Sequence, residues 1–221
     1  MNNLISLDNV CKFYRRGSEE VHALDGVTLD IAEGDLIAIC GPSGSGKTTL
    51  LNIAGCMDRA SKGSVSINGE EVDHGGERRL AEIRQSMIGF VFQQFFLIPT
   101  LTVEENVELP LLFSHRKADR GRTAELLESV GLSHRSRHLP GQLSGGEMQR
   151  VAVARSLVNE PKVILADEPT GNLDSRNSAA VVQLFETLNR RGIAVVLVTH
   201  NPDLAARCRK VVHLEDGKVV G

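Results

Sequence analysis

One stretch of the sequence, GPSGSGKTT at residues 41–49, has the residue types and spacing of a phosphate-binding loop. It matches the pattern G-x-x-x-x-G-K-[ST] through Gly41, Gly46, Lys47 and Thr48. Glycines let the backbone curl so that several N–H groups point at one anion, and the following helix adds its dipole. Lys47 can then reach the β- and γ-phosphates of a nucleotide, and the Thr48 hydroxyl can bind Mg²⁺.

A pair of carboxylates follows a second apolar run, VILADE at residues 163–168. A buried strand would deliver Asp167 at its carboxyl end, where ligands bind in open α/β sheets. Asp167 can hold Mg²⁺ through water, and Glu168 can accept a proton from an attacking water. Alone, the pair reads equally well as two solvated carboxylates, but beside a phosphate-binding loop the catalytic interpretation is favoured.

Two further polar residues follow strand-like runs. His200 ends IAVVLVTH, and Gln93 follows IGFVF. A strand-end position would place His200 near the γ-phosphate, and would let Gln93 touch Mg²⁺ or the attacking water. A lone histidine is more often structural, and Gln93 alone would be read as a surface polar residue.

The segment LSGGE at residues 143–147 opens a helix with two glycines, which are poor helix formers. Ser144 and Glu147 have the spacing of a capping box, in which each side chain bonds the other residue's backbone N–H. That pattern does not explain Gly145 and Gly146. Their exposed N–H groups would form a second phosphate cradle. A single nucleotide site needs only one such cradle.

The predicted secondary structure falls into three zones. Residues 1–40 and 63–69 contain short β-rich segments broken by Gly, Asn and Asp. Residues 94–158 have helical spacing, with a capping-box pattern from Thr102 to Glu105 and a helix stop at Gly131. Residues 162–221 alternate apolar strands with helices, which predicts a parallel sheet covered on both faces. We therefore expect an α/β fold with a helical lobe at about residues 94–158.

Composition limits the function classes. The chain has 221 residues and a net charge of −3, which argues against a non-specific nucleic-acid binder. The cysteines form no C-x-x-C pair, and we expect Cys11, Cys40 and Cys56 to be small buried residues in a reducing cytosol. There is no signal-peptide pattern, and no apolar run approaches the roughly 20 residues of a membrane span. We expect another chain to supply any membrane part.

The motifs together resemble those of the ATP-binding cassette (ABC) ATPases. In chain order they are GPSGSGKTT, FVFQ, LSGGEMQR, VILADEP, LD at 173–174 and TH at 199–200. The resemblance covers essentially the whole chain and implies one ABC ATPase domain over residues 1–221. Its fold would be a P-loop core with a mainly parallel sheet, an N-terminal antiparallel β subdomain and the inserted helical lobe. In this family two cassettes pair head to tail, which implies that Ser144, Gly145 and Gly146 bind the γ-phosphate held by a second copy.

The resemblance also implies roles for other positions. Glu168 matches the catalytic glutamate, His200 the switch histidine, and Gln93 the hinge glutamine between core and lobe. Tyr14 falls where the family places an aromatic that stacks on adenine, with ordinary packing as the alternative. Asp174 matches a loop that crosses the dimer interface. The residues implied for ATP are Tyr14, Gly41, Pro42, Ser43, Gly44, Ser45, Gly46, Lys47, Thr48, Thr49, Ser144, Gly145, Gly146 and Asp174, and those for Mg²⁺ are Thr48, Gln93 and Asp167.

A finer resemblance links the chain to one subgroup. NIAGCMDRASKG, IGFVFQQFFLIPTLTVEENVELPL and LADEPTGNLDS resemble the bacterial lipoprotein-release and macrolide-export ATPases of LolD/MacB type. Such ATPases bind an integral membrane partner at the cytoplasmic face of the inner membrane and drive export or mechanical movement of that partner. The apolar run FFLIP at 95–99, with Phe95 and Leu97, suits contact with the partner and equally suits the core of the lobe.

Other functions are less well supported. The chain can alternatively be a signalling module that regulates a membrane-bound extracytoplasmic enzyme, as in cell-division relatives. ABC ATPases that act on nucleic acid carry a long coiled coil between the P-loop and the family's signature motif, here LSGG at 143–146, and Lys47 and Ser144 are too close for it. A small-molecule kinase would have no use for LSGGE. We therefore expect no nucleic-acid partner.

Overall fold

A computed structural model of the chain describes residues 3–17, 19–72, 76–113 and 120–220. Within them the strands form two sheets. The antiparallel sheet has the order β2-β1-β4-β5 and is made of β1 Asn3–Arg16, β2 Glu19–Ala32, β4 Lys62–Ile67 and β5 Glu70–Glu71. The second sheet has the order β10-β9-β3-β8-β7-β6 and is made of β3 Leu36–Cys40, β6 Ile88–Phe92, β7 Val163–Asp167, β8 Ala194–Val198, β9 Lys210–Glu215 and β10 Lys218–Val220.

All neighbours in the second sheet pair in parallel except β9 and β10, which form an antiparallel pair. The helices of the described residues are α1 Lys47–Ala54, α2 Glu77–Met87, α3 Val103–Phe113, α4 Arg120–Ser129, α5 Gly145–Leu157, α6 Ser175–Arg190 and α7 Pro202–Ala205. Short 3-10 turns lie at Ser133–Arg135 and Pro140–Gln142. The predicted α/β class, with an antiparallel N-terminal sheet, a mainly parallel sheet and a helical lobe, is confirmed.

The parallel sheet is buried on both faces. Val163 and Leu165 of β7 pack with the antiparallel sheet and α1, whereas Ile164 and Ala166 pack with α5 and α6. Successive side chains of a strand point to opposite faces, so a strand covered on both sides must be apolar throughout. This explains the uninterrupted apolar runs that mark β7 and β8.

The first two strands are longer than the sequence predicted. β1 and β2 each run for 14 residues, where short broken segments were expected. Asn9 and Gly26 interrupt the apolar pattern, but both adopt positive φ, at 50° and 71°, where the β1–β2 register shifts. The polar residues therefore mark bulges within continuous strands and do not end them.

Two local predictions at helix ends are confirmed. The Thr102 backbone N–H donates to Glu105 Oε2 at 2.7 Å, and the Glu105 N–H donates to Thr102 Oγ1 at 3.3 Å, which is a capping box at the start of α3. Gly131 follows α4 with a φ of 72°. Helix α2 was not predicted, because Leu80 and Ile83 are its only buried residues and leave little apolar periodicity.

The cysteine prediction was right for two of its three residues. Cys11 and Cys56 are buried, but Cys40 is half-buried. Cys40 is the last residue of β3, at the open carboxyl edge of the sheet, so its thiol is not fully covered. Among the described residues we find no helix with the length and apolarity that a membrane span requires.

Candidate functional site

The carboxyl ends of four parallel strands meet around one cleft of about 490 Å³. Because β3, β6, β7 and β8 run in the same direction, the residues that follow them are brought to one edge of the sheet. The cleft is lined by Val21, His22, Ala23, Gly41, Ser43, Gly44, Gly46, Lys47, Thr48, Thr49, Gln93, Asp167, Glu168, Val198 and His200. The structure thus brings together most of the side chains that the sequence singled out.

The loop between β3 and α1 has the shape of an anion cradle. A Cβ at Gly41 would lie 2.0 Å from the Leu214 carbonyl oxygen, and one at Gly46 would lie 2.2 Å from that of Ala23. Gly46 also has a φ of 101°, which side chains disfavour. Lys47 Nζ lies across the loop and donates to the Gly41 and Pro42 carbonyls at 3.0 and 2.7 Å.

Ser45 adds a buried hydroxyl to this loop. No partner among the described residues bonds its Oγ. An unpartnered buried hydroxyl is costly and usually marks a group that bonds a ligand or water. A loop that excludes Cβ atoms, carries an ammonium group and holds a free hydroxyl fits a phosphate chain.

Thr48 and Asp167 provide the oxygen atoms that suit Mg²⁺. The Thr48 hydroxyl donates to Asp167 Oδ2 at 2.9 Å. Burial raises the pKa of the Asp167 carboxyl, and the neighbouring Glu168 charge adds to this, while Thr48 and Lys47 oppose it. In the described part of the chain, no group of three or more His, Cys, Asp or Glu residues could hold a metal. Any Mg²⁺ here would therefore take its remaining ligands from phosphate and water, as this ion commonly does.

Glu168 and His200 contact each other at the mouth of the cleft. His200 Nδ1 lies 2.8 Å from Glu168 Oε2, within the distance of an ion pair when the imidazole is protonated. Glu168 has a φ of 46°, a left-handed conformation that is unfavourable for a residue with a side chain. Its N–H donates to the Val198 carbonyl at 3.0 Å, which ties this turn to β8. Strained backbone of this kind often accompanies function.

Gln93 follows β6 and bonds a residue that the sequence analysis missed. Gln93 Nε2 donates to Asn172 Oδ1 at 3.2 Å, and Asn172 Nδ2 donates back to the Gln93 carbonyl at 3.1 Å. A Cβ at Gly171 would lie 2.7 Å from Gln93 Nε2, so the glycine makes room for this contact. In the sequence, the turn-forming pair Gly171 and Asn172 in the loop after Glu168 was the feature that could have indicated this contact.

Tyr14 lies outside the residues that line the cleft, close to its edge. Its hydroxyl donates to Asp58 Oδ2 at 2.7 Å, and the residue as a whole is 39% exposed. Lys12 Nζ lies 4.9 Å from the ring centroid, and Lys12 also donates to Asp58. Burial raises the pKa of the Tyr14 hydroxyl, and the Asp58 carboxylate raises it further. The hydrogen bond to Asp58 and the contact with Lys12 thus fix the position of a residue that stays partly accessible.

The segment LSGGE starts α5 away from the cleft. Its capping box is confirmed: the Ser144 N–H donates to Glu147 Oε2 at 2.8 Å, and the Glu147 N–H donates to Ser144 Oγ at 3.3 Å. No residue of 143–147 is among those described as lining the cleft. Ser144 is exposed, so its end of α5 is open to another molecule.

The two glycines of this segment differ. A Cβ at Gly146 would lie 2.2 Å from Asn177 Oδ1, whereas a Cβ at Gly145 would meet nothing closer than 3.6 Å. Asn177 is in turn bonded to both carboxylate oxygens of Asp174, the N-cap of α6, at 2.8 Å. Gly146 therefore has an explanation within the chain that the sequence did not suggest: it lets the starts of α5 and α6 pack together.

The apolar run after Gln93 is divided between core and surface. Phe95 and Leu97 are partly buried, and Leu97 packs against the cluster under the helical lobe. Phe96 and Ile98 are 58% and 40% exposed. Within FFLIP, Phe95 and Leu97 are thus partly covered by the lobe, whereas Phe96 and Ile98 carry most of the exposed apolar surface; contact of this run with a partner stays a prediction. Arg155 of α5 fixes the run by donating to the carbonyls of Phe96 and Phe95 at 2.6 and 2.8 Å.

Comparison with known proteins places this arrangement in a family. The model of the family described as ABC transporter matches residues 24–171. An uncharacterized ABC transporter ATP-binding protein of Thermotoga maritima is 49% identical over 100% of this chain and 95% of its own length. The macrolide export ATP-binding/permease protein MacB 1/2 of Paracoccus denitrificans is 48% identical over 98% of this chain, which corresponds to 33% of that protein.

Solved structures agree with the sequence relatives. A dimeric structure of the ABC transporter cassette MJ0796, from Methanocaldococcus jannaschii, has a TM-score of 0.91 and 47% identity, covering 98% of this chain and 97% of that one. A second structure of MJ0796, also with a TM-score of 0.91, is a post-hydrolysis state bound to ADP and Pi. The family match and the relatives together show that this chain belongs to the ABC transporter family, as an ATP-binding ATPase of that family.

Proposed function

We propose that residues 1–221 form one ABC ATPase domain, with its helical lobe at about 94–158, that works as the ATP-binding subunit of a membrane transporter. Two copies would close head to tail around two ATP molecules and open again after hydrolysis. The motion would drive export or mechanical movement of a membrane partner, as in the lipoprotein-release and macrolide-export type.

The observation that carries this proposal is the separation of the two phosphate cradles. The cleft of one chain holds the P-loop, Asp167, Glu168 and His200, but Ser144 lies outside it and is exposed. A second copy placed head to tail would bring its Ser144 and Gly145 over the γ-phosphate. The structure of MJ0796 is dimeric, which supports the pairing of two copies here.

Within the closed site each residue would have a distinct task. Lys47 and the loop N–H groups would bind the phosphates, and the exposed ring of Tyr14 would stack on adenine. Oxygen atoms of Thr48, Asp167 and Gln93 would hold Mg²⁺, which, when bound, would offset the negative charge of the phosphates.

The hydrolytic step needs a base near the γ-phosphate. Glu168 would accept the proton of the attacking water, because its carboxylate lies in the cleft and its backbone is fixed by β8. His200 would orient that carboxylate through Nδ1 and would also contact the γ-phosphate. Asp174 would lie at the dimer interface, since it starts α6 beside the glycines of α5.

A test of the dimer is the molar mass of the Glu168→Gln chain, measured by light scattering. This variant should bind ATP without hydrolysing it, so Mg·ATP should convert it from one chain of 24.0 kDa to a particle of twice that mass. Mg·ADP serves as the control and should leave the monomer. A chain that stays monomeric at saturating Mg·ATP would contradict the proposal.

The proposal of a membrane partner is supported by a relative that combines ATP-binding and permease functions in one chain. MacB 1/2 is an ATP-binding/permease protein, and this chain matches one third of it. We propose that the permease function resides in a separate integral membrane protein, which holds this chain at the cytoplasmic face of the inner membrane. Phe96 and Ile98, exposed next to Gln93, suit a contact that senses the state of the cleft.

Affinity purification from detergent-solubilised membranes tests the partner. We expect a polytopic protein with an extracytoplasmic domain to co-purify with the chain, and a Phe96→Glu/Ile98→Glu variant to lose it. Leu112→Glu is the matched control, because Leu112 is a still more exposed apolar residue, on α3. Recovery of only soluble proteins, in both ATP-trapped and nucleotide-free states, would rule out the transport role.

A further inference from the structure

The Ser144 hydroxyl is already engaged within its own chain. Its Oγ lies 2.9 Å from Glu147 Oε2, and the same carboxylate oxygen accepts the Ser144 backbone N–H at 2.8 Å. The Glu147 N–H donates to Ser144 Oγ at 3.3 Å. The capping box therefore uses both the acceptor and the donor of this hydroxyl.

A serine hydroxyl has only one hydrogen to donate. A carboxylate cannot donate, so the hydrogen between Ser144 Oγ and Glu147 Oε2 must be the one from the serine. An ionised phosphate is likewise an acceptor only. Ser144 can therefore bond a phosphate through its hydroxyl only after turning this hydrogen away from Glu147.

Arg135, which lies outside the helix, balances the charge of Glu147. Arg135 Nε donates to Glu147 Oε1 at 3.1 Å, and the Glu147 side chain is only 16% exposed. The Ser144 backbone N–H holds the pKa of Glu147 below its ordinary value, so the carboxylate is charged at neutral pH. Without Arg135, an incoming phosphate would meet an uncompensated negative charge at short range.

We infer that Glu147 is a positioning residue that competes with the γ-phosphate for the Ser144 hydroxyl, and that Arg135 limits this competition by neutralising the carboxylate. The Ser144–Glu147 hydrogen bond therefore opposes closure of the dimer. The inference rests on the proposed function, in which Ser144 binds the ATP of a second copy.

The test is an ATP titration of dimer formation in the Glu168→Gln background, read by light scattering. E147Q keeps an oxygen acceptor for Ser144 but removes the charge, which weakens the competing bond. We expect it to lower the ATP concentration at half-maximal dimerisation by about three- to tenfold. The capping box of α3 offers a matched control, because Thr102 and Glu105 have the same three bonds at 2.7, 2.8 and 3.3 Å. E105Q should lower the unfolding temperature to a similar extent but leave the titration unchanged.

Arg135 completes the test as a double-mutant cycle. R135Q should raise the ATP requirement by a similar factor, and R135Q/E147Q should return close to E147Q, since no charge then needs neutralising. A purely structural cap would behave differently: both single variants would raise the ATP requirement, and this result would overturn the inference. So would an E147Q titration equal to that of the background. A background that fails to dimerise at all would instead overturn the proposed dimer, and the inference with it.

Discussion

At the scale of single residues, neighbouring glycines can be present for different reasons. Gly146 is packed against Asn177, which two bonds to Asp174 hold in place. Gly145 has space for a methyl group, which would make ordinary contacts with Leu173 and Phe95 of the same chain at 3.6 and 3.7 Å. Packing within the chain therefore requires a glycine at 146 but not at 145.

This difference predicts opposite outcomes for two alanine variants. Gly146→Ala should destabilise the chain by about 1–3 kcal/mol, because the new methyl group displaces Asn177. Gly145→Ala should leave stability unchanged or slightly higher, since alanine is the better helix former, yet it should impair ATP hydrolysis, because it adds bulk to the segment that the proposed dimer places on the partner's phosphate. Urea unfolding and steady-state hydrolysis measure the two effects.

A third variant tests whether contact with Asn177 is the reason that Gly146→Ala lowers stability. Asn177→Ala removes the atoms that would lie 2.2 and 2.3 Å from a methyl group at Gly146. The double variant Gly146→Ala/Asn177→Ala should therefore recover part of the stability that Gly146→Ala loses. Equal destabilisation by Gly145→Ala and Gly146→Ala would show that both glycines serve only the packing of α5.

At the scale of elements, α5 connects the exposed segment at its start to the strand that leads into Gln93. Gln149 is fully buried and its Nε2 donates to the Phe92 carbonyl at 3.4 Å, while Arg155 holds the backbone after Gln93. Burial lowers the pKa of Arg155, whose guanidinium is engaged by two carbonyl oxygens. The helix, the loop at 95–96 and Gln93 are therefore expected to move as one unit when the dimer closes.

Elements whose pattern is local could be predicted from the sequence. Apolar runs that end at Gln93, Asp167 and Thr199-His200 predict strands with chemistry at their carboxyl ends, and a parallel sheet brings those ends together. The capping boxes were also predictable, because each depends on two residues three positions apart. The length of β1 could not be predicted, because bulges interrupt its apolar pattern. Helix α2 could not be predicted either, because an apolar face of two residues leaves only a weak pattern.

Contacts between distant segments could not be predicted in this way. The Gln93–Asn172 pair joins residues 79 positions apart, and the packing of Asn177 on Gly146 depends on how two helices meet. Arg135 and Glu147 are likewise joined only because the turn at Ser133–Arg135 folds back on α5. Such pairs have no period or motif that a single sequence displays.

At the scale of the whole molecule, one chain has a cleft at the carboxyl edge of its parallel sheet and an exposed Ser144 that is not among the described residues of the lining. The cleft has the base, the phosphate loop and the oxygen atoms for a metal, but no second cradle among its described lining. In the proposed dimer, a second copy completes this site. The central claim is therefore that Ser144 acts on the nucleotide of the partner and not on its own.

Ser144→Arg tests this claim most directly, with Thr102→Arg as its matched control at the other capping box. Both variants lose an N-cap worth about 0.5–2 kcal/mol and gain the same charge. The measurement is ATP hydrolysis together with ATP binding to the same sample. We predict that Ser144→Arg binds Mg·ATP as the parent chain does but loses roughly 100-fold or more in hydrolysis, while Thr102→Arg keeps both. Hydrolysis by Ser144→Arg at the rate of the Thr102→Arg control would contradict the account, because one cleft would then suffice.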